Sequence, residues 1–303
     1  MFSELNKIAT IFSIKDLENL TGIQAHTIRI WEKRYGILSP ERTDTNIRYY
    51  NISNLKKLLN VHLLNQAGMK ISNIAKLPES ELLEKVRELE STLQGDTQYQ
   101  NSLLLAMFQF DQALFENTYN KMTAESSFRR VFLDFFVPLL QKVGLDWQSD
   151  SITPAHEHFI SNLIKQKLHI NIERVQQTSV QIRDRVFVLF LPENEIHELG
   201  LLYIHYELIL KGYRSIFLGQ SVPMENLSSV QILYDNICFI SYFTVQPWKD
   251  DVHSYLVKFR KEVLVEKKDQ LWILGMNCQD VKLGADLEGI KRYEGIEDLL
   301  AGL

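Results

Sequence analysis

One short run has the residue types of a metal site: Glu195-Ile196-His197-Glu198-Leu199-Gly200. A neutral imidazole binds a metal through one ring nitrogen, and a partner on the other nitrogen fixes its tautomer. Glu195 is placed to accept that second proton, which would make the metal-facing nitrogen of His197 more basic. Gly200 opens a predicted helix and would let a bulky group approach the backbone. On the hexapeptide alone, a His197 that caps or hydrogen-bonds a turn is the favoured reading. Two later features bear on it. Ser241-Tyr242-Phe243 falls at the next-but-one predicted strand end, and Gly275 follows the strand LWIL. Upstream, Trp147 is followed after nine residues by Glu157-His158. A planar aromatic covers apolar ligand surface, and the polar pair can meet hydroxyls. The plainer reading there is a buried Trp and a surface Glu-His. The neighbouring His156 reads as surface.

These residues need scaffolds, and the chain supplies two kinds. RVFVLFLP, just before Glu195, is a short apolar run that reads as a buried strand. Helix 198–212, strand 214–219, a helix after Pro223, strand CFISYF, helix 248–264 and strand LWILG follow. Alternating strand and helix implies a parallel, doubly wound sheet. His197 then stands at its carboxyl edge, where ligands dock in open α/β folds. Before this, residues 101–172 are helical throughout. We expect four helices, near 101–108, 111–122, 125–145 and 153–172, with Pro138 and Pro154 as interruptions. Polar linkers are expected at 94–100 and 174–184. PESELLEKVRELESTLQG spaces Leu82, Val86, Leu89 and Leu93 as a short amphipathic helix. It serves either a dimer seam or packing within the chain.

The first third reads differently. Ser13 caps a helix that stops at Gly22. HTIRIWEKRYGI forms a second helix, with Ile28 and Trp31 inward. LSPERTDTNIRYYN reads as a two-strand wing. Helices 52–68 and 70–77 complete the segment. A second helix of this kind enters the major groove, and a wing adds phosphate or minor-groove contacts. The candidate DNA contacts are Thr27, Arg29, Lys33, Arg34 and Tyr35 on the helix, and Arg42, Asn46, Arg48 and Tyr49 on the wing. Tyr50 either packs the wing or reaches a phosphate. Charge agrees: residues 1–77 hold 11 Lys and Arg against 6 Asp and Glu, while the whole chain of 303 residues is −5. A basic head on an acidic body suits an acidic polymer as partner.

Composition is that of an ordinary globular chain, 45% hydrophobic and 23% charged. No apolar run is long enough for a membrane span. Cys238 and Cys278 lack metal-ligand spacing and read as buried thiols of a cytoplasmic protein. We expect no enzyme: no catalytic triad, phosphate loop or zinc pattern stands out.

The run FSIKDLENLTGI…TIRIWEKRYGIL…ERTDTNIRYYN, with LLNQAGMKISNIAKL after it, resembles the winged head of the MerR family of transcriptional regulators. This implies a homodimer or higher homo-oligomer on a double-stranded DNA operator. Glu195-x-His197-x-x-Gly200 with Ser241 and Gly275 resembles the cobalamin-binding signature. There, the resemblance implies, the His ligates cobalt in place of the ligand's own base, and the Ser and Gly residues line a slot for the displaced nucleotide tail. Two departures are visible: Phe243 where Leu is usual, and Gly275-Met276 where Gly-Gly is usual. The stretch FFVPLLQKVGLDWQSDSITPAHEHFISNLI resembles the helical cap of CarH-like and LitR-like regulators. By that likeness Trp147, Glu157 and His158 meet the upper group of adenosylcobalamin or methylcobalamin. In the photoreceptor branch a His commonly follows the Trp. Here it is Gln148, and a neutral amide does not replace imidazole as a strong cobalt ligand.

The expected fold is multidomain: an all-α winged helix-turn-helix (1–93), a four-helix-bundle cap (101–173) and an α/β Rossmann-like, flavodoxin-like parallel-sheet domain (184–303). The implied function is a repressor controlled by cobalamin, with or without a response to light. Two alternatives stand beside it: a regulator of this architecture that senses a protein partner or another ligand, and a corrinoid carrier module of a methyltransferase.

Overall fold

Helix α1 (Ile14–Thr21) starts where its sequence says it should. Ser13 Oγ accepts from the Asp16 N–H, and the Asp16 carboxylate accepts from the Ser13 N–H. This reciprocal pair satisfies two backbone donors at the helix start. The coordinates are a computed structural model that describes residues 12–42, 46–92, 96–147, 153–178, 185–265 and 268–303. The chain divides into two units, Met1–Ile164 and Lys165–Leu303.

In the first unit α2 (Ala25–Tyr35) buries Ile28 and Trp31 and ends at Gly36 in the left-handed conformation. The wing follows as β1 (Glu41–Arg42) and β2 (Arg48–Tyr49), paired antiparallel. Asn51 and Asn54 cap α3 (Ile52–Gln66) reciprocally. The helix expected over 70–77 shrinks to one turn, α4 (Ile71–Ile74). Helix α5 (Glu79–Thr92) buries Leu82 and Val86 and packs on α3, so this part of the apolar stripe is used inside the chain. Leu93 lies outside the described residues.

Helix α6 (Asp96–Gln109) begins inside the stretch expected to be a linker. Helix α7 (Gln112–Glu125) is capped by Asp111. Helix α8 (Phe128–Arg130) runs through a π-helical turn, Val131–Phe136, into α9 (Val137–Trp147). Pro138 therefore does not break the chain into two helices. Proline lacks the N–H that would bond four residues back, and the wider π turn before it absorbs the mismatch. Helix α10 (Pro154–Thr178) opens with Pro154, where the missing N–H costs nothing. Phe115, Phe132, Phe135 and Phe136 are buried in the bundle. The Phe12 ring meets Phe108 edge-on at 5.1 Å, so head and bundle share apolar packing.

The second unit is a five-stranded parallel sheet. Its elements are β3 (Val186–Phe190), α11 (Leu199–Leu210), β4 (Arg214–Gly219), α12 (Ser228–Gln231), β5 (Ile237–Tyr242), α13 (Val252–Glu262), β6 (Gln270–Leu274), β7 (Ile290–Arg292) and α14 (Ile296–Ala301). The strand order is β4-β3-β5-β6-β7. The chain reverses direction across β3, which makes the β3–β5 edge the switch point of the sheet. β3 is buried at every residue, as expected of a strand covered on both faces. Val252, Leu256 and Phe259 of α13 cluster on one face with Ile237 and Phe239. Helix α11 packs on the other and is buried from Leu201 to Ile209. Strand β7 and helix α14 escape sequence reading because three and six residues show no clear period. Cys238 and Cys278 are buried free thiols, as expected. Among the described residues no helix is long and apolar enough to cross a membrane.

Candidate functional site

The loop from β3 to α11 is built around one buried carboxylate. Glu195 is fully buried, and its Oε1 accepts from the backbone N–H of Ile196 at 2.9 Å and of His197 at 3.0 Å. Oε2 accepts from three successive backbone N–H groups after β5: Thr244 at 3.2 Å, Val245 at 2.6 Å and Gln246 at 2.8 Å. His197 Nδ1 lies 2.6 Å from Oε1. Burial alone would push the Glu195 carboxyl up. Hydrogen bonds from His197 and from the N–H groups of Gln246, His197 and Val245 outweigh it and hold the pKa at about 2. An ionised carboxylate only accepts, so Nδ1 carries the proton of this contact, and in the neutral ring Nε2 is the acceptor nitrogen. The His197 side chain is 49% exposed.

Neighbouring loops fix this arrangement. Ser221 Oγ accepts from Asn194 N–H at 3.0 Å, and Gln220 donates to the Ile196 carbonyl at 2.9 Å, tying in the loop after β4. Asn277 donates to the carbonyls of Val245 and Pro247, tying in the loop after β6. Sequence reading found Glu195 but not the amides of 244–246, Gln220 or Asn277. Backbone donors leave no residue-type signal. Ile196 (60% exposed), Val245 (38%) and Met276 (68%) are exposed apolar side chains on the three loops at this carboxyl edge. Exposed apolar surface with one polar anchor is how small-molecule sites are usually made.

Ser241 pairs with Phe190 and Ile273 at the strand ends and is fully buried. Its Oγ has no hydrogen-bond partner among the described residues, and a polar ligand atom reaching the end of β5 would satisfy it. Two expectations change. The space beside the Gly200 Cα is taken by the Tyr242 ring: a Cβ there would lie 2.8 Å from it. Gly275 has a backbone cause, since its Cβ would lie 2.4 Å from the Phe243 carbonyl oxygen.

Glu157 and His158, in the first unit, pair with each other on an exposed face. Trp147 closes α9, its side chain is not among what the structure describes, and Gln148 lies outside the described residues. His156 is buried rather than on the surface. Its Nδ1 lies 2.8 Å from Thr153 Oγ1, its ring stacks on Phe110 at 4.6 Å, and burial lowers its pKa.

In the head, Arg29, Lys33 and Arg34 project from α2 opposite buried Ile28 and Trp31, with Thr27 and Tyr35 half-buried beside them. Glu32, not anticipated, organises the wing. It accepts from Arg48 Nε at 3.0 Å and from the hydroxyl of fully buried Tyr50 at 2.9 Å. Burial and then this bond raise the Tyr50 phenol. Arg48 is thus a clamp as well as a surface cation. Arg42 donates to Asn46 Oδ1 at 2.6 Å, and the Tyr49 hydroxyl to Glu41 at 2.8 Å. Glu32→Ala leaves the Tyr50 hydroxyl without its acceptor. We expect a loss of about 2 kcal/mol in denaturant unfolding of the first unit; an unchanged midpoint would contradict the clamp.

A basic winged head, a helical bundle and a parallel sheet with a histidine at its switch point define a class: a helix-turn-helix regulator with a cofactor-binding body. Residues 12–81 match the family described as MerR HTH family regulatory protein, and residues 99–170 match the B12 binding domain. The chain carries both, in that order. It is 27% identical over 295 residues to the HTH-type transcriptional repressor CarH of Myxococcus xanthus, spanning 95% of this chain and 96% of that protein. It is 27% identical over 223 residues to the HTH-type transcriptional repressor CarA of the same organism, spanning 69% and 68%. The solved monomethylamine corrinoid protein of Methanosarcina barkeri shares the fold, with a TM-score of 0.55 over 68% of this chain and 97% of that one, at 11% identity.

Proposed function

We propose that this protein is a cytoplasmic DNA-binding transcriptional repressor whose oligomeric state and operator binding are set by cobalamin, in its adenosyl or methyl form. The observation that carries the reading is His197, with Nδ1 held by a buried ionised carboxylate at the switch point of a parallel sheet. The donor set fits the group: one neutral imidazole, oriented from behind, with exposed apolar side chains on the loops of the same edge to meet a large flat ring. Bound there, cobalamin supplies a cobalt centre with an exchangeable or light-labile upper group. His197 Nε2 would ligate the metal, Glu195 would hold the tautomer, and Ile196, Val245 and Met276 would exclude water below the ring. By resemblance, Trp147, Glu157 and His158 are assigned to the upper group. Gln148 leaves the chain without the imidazole that a stable light-driven adduct needs.

We divide the work among 1–93 for DNA, 101–173 for the cap and 184–303 for cobalamin. Arg29, Lys33 and Arg34 serve the major groove, and Arg42, Asn46 and Arg48 the wing contacts. A ligand shifts assembly only as far as it prefers one state. The test uses protein purified in darkness and a duplex that the protein itself selects from a random pool. Adenosylcobalamin should change particle mass by light scattering and duplex affinity by about tenfold or more. His197→Ala should respond to neither, and Arg29→Ala should bind the duplex more weakly with or without ligand. A wild type whose mass and duplex affinity ignore adenosylcobalamin would sink the reading. One observation favours a second reading, the same architecture without cobalamin: the Tyr242 ring stands where sequence placed open space beside Gly200.

A further inference from the structure

One apolar side chain stands on the outer face of the helix assigned to the major groove. Helix α2 turns Ile28 and Trp31 inward, while Ile30 is 43% exposed. At about 3.6 residues per turn, Ile30 falls between His26 one turn before it and Lys33 and Arg34 one turn after. All three are exposed, and so is Arg29 beside it. Cations thus border one isoleucine. A β-branched residue is a weaker helix former than alanine or leucine, and Ile30 is left out of the core that Ile28 and Trp31 enter. On most surfaces a lone exposed isoleucine needs no explanation. This one occupies the middle of the face that the cations bring to DNA.

The chemistry of the groove says what such a residue can read. Isoleucine has no side-chain hydrogen-bond donor or acceptor. The base edges in the major groove offer donors, acceptors and one apolar group, the 5-methyl of thymine. At the polar edges an isoleucine would displace water without replacing its hydrogen bonds. We infer that Ile30 is a specificity-determining residue that packs on a thymine methyl and so fixes a T·A pair at one position under each bound copy of α2. The cations around it hold the phosphates, which supply affinity but carry no sequence. The inference rests on α2 as the helix that enters the groove.

The test uses the full chain and the duplex that it selects from a random pool, with each thymine replaced in turn by uracil, which lacks only the methyl. Wild type should lose about fourfold in affinity at one thymine per bound α2 and almost nothing at the others. Ile30→Ala should bind the thymine duplex about fourfold more weakly and treat thymine and uracil at that position alike, within about 1.5-fold. Its melting temperature should equal or exceed that of wild type, because alanine is the better helix former, which separates lost reading from lost folding. A selected site with no fixed thymine, or uracil tolerated by wild type at every position, would overturn the inference. So would an equal uracil penalty in wild type and Ile30→Ala. In those cases weaker binding by Arg29→Ala leaves the DNA reading of the head standing. A wild type that selects no duplex overturns that reading, and this inference with it.

Discussion

Glu195→Ala is expected to cost on the order of 4 kcal/mol and to abolish corrinoid binding together. Five backbone N–H groups, of Ile196, His197, Thr244, Val245 and Gln246, lose their acceptor, as does His197 Nδ1. Each buried donor left without a partner costs about 1–3 kcal/mol, and water entering the gap recovers part of that. A domain of ordinary stability, about 5–15 kcal/mol, would survive near room temperature and melt roughly 10 °C earlier. Glu195→Gln should be milder, since one oxygen remains, but its NH2 would face donors. The same carboxylate makes stability depend on pH. Its folded pKa, about 2, lies below the ordinary 4.5. The contribution is therefore complete above about 4.5 and is lost as pH falls from there toward 2, amounting to on the order of 3 kcal/mol. Glu195→Gln should lack this acid-side decline. A melting temperature of Glu195→Ala within about 2 °C of wild type would contradict the hub.

Gly275→Ala is the other large effect. Gly275 has φ +112° and ψ 168°, a region essentially closed to residues with a side chain. The added Cβ would lie 2.4 Å from Phe243 O and 2.8 Å from Phe243 C and N. Backbone cannot yield there cheaply. Phe243 N–H bonds the Leu274 carbonyl at 2.8 Å, and the Phe243 carbonyl accepts from Asn277 N–H at 3.1 Å. Strain of about 1–3 kcal/mol and the broken pair together should cost on the order of 4 kcal/mol. The loop carrying Met276 and Asn277 would shift with it, and Asn277 would release Val245. Loss of near-ultraviolet circular dichroism at ambient temperature, or a melting temperature roughly 10 °C lower, is expected. Wild-type melting would show that the loop relaxes freely.

The helix starts, the wing and the parallel sheet were legible because each rests on local chemistry: Ser13 and Asn51 as caps, Gly22 and Gly36 as stops, apolar runs at β3, β5 and β6. Glu195 and His197 were legible for the same reason, as an acid and an imidazole two residues apart after a strand. What was hidden was long-range. The amides of 244–246 have no residue type to betray them. Gly200 looked like space for a ligand because sequence cannot say that Tyr242, forty-two residues on, fills it. Glu32 carries no signal of its role, because its partners Arg48 and Tyr50 lie far along the chain. Pro138 reads as an interruption within helix 125–145, but the π turn that accommodates it has no sequence signature of its own.

The central claim is that His197 takes the metal. Electron paramagnetic resonance of cob(II)alamin bound to protein labelled with 15N at histidine reads this directly. A 15N ligand, of nuclear spin one half, splits each cobalt line into a doublet, whereas the 14N of the cofactor's own base gives a triplet. The account predicts doublets for the labelled wild type and their absence in His197→Ala. Triplets in the labelled wild type, the same as for the free cofactor, would contradict it.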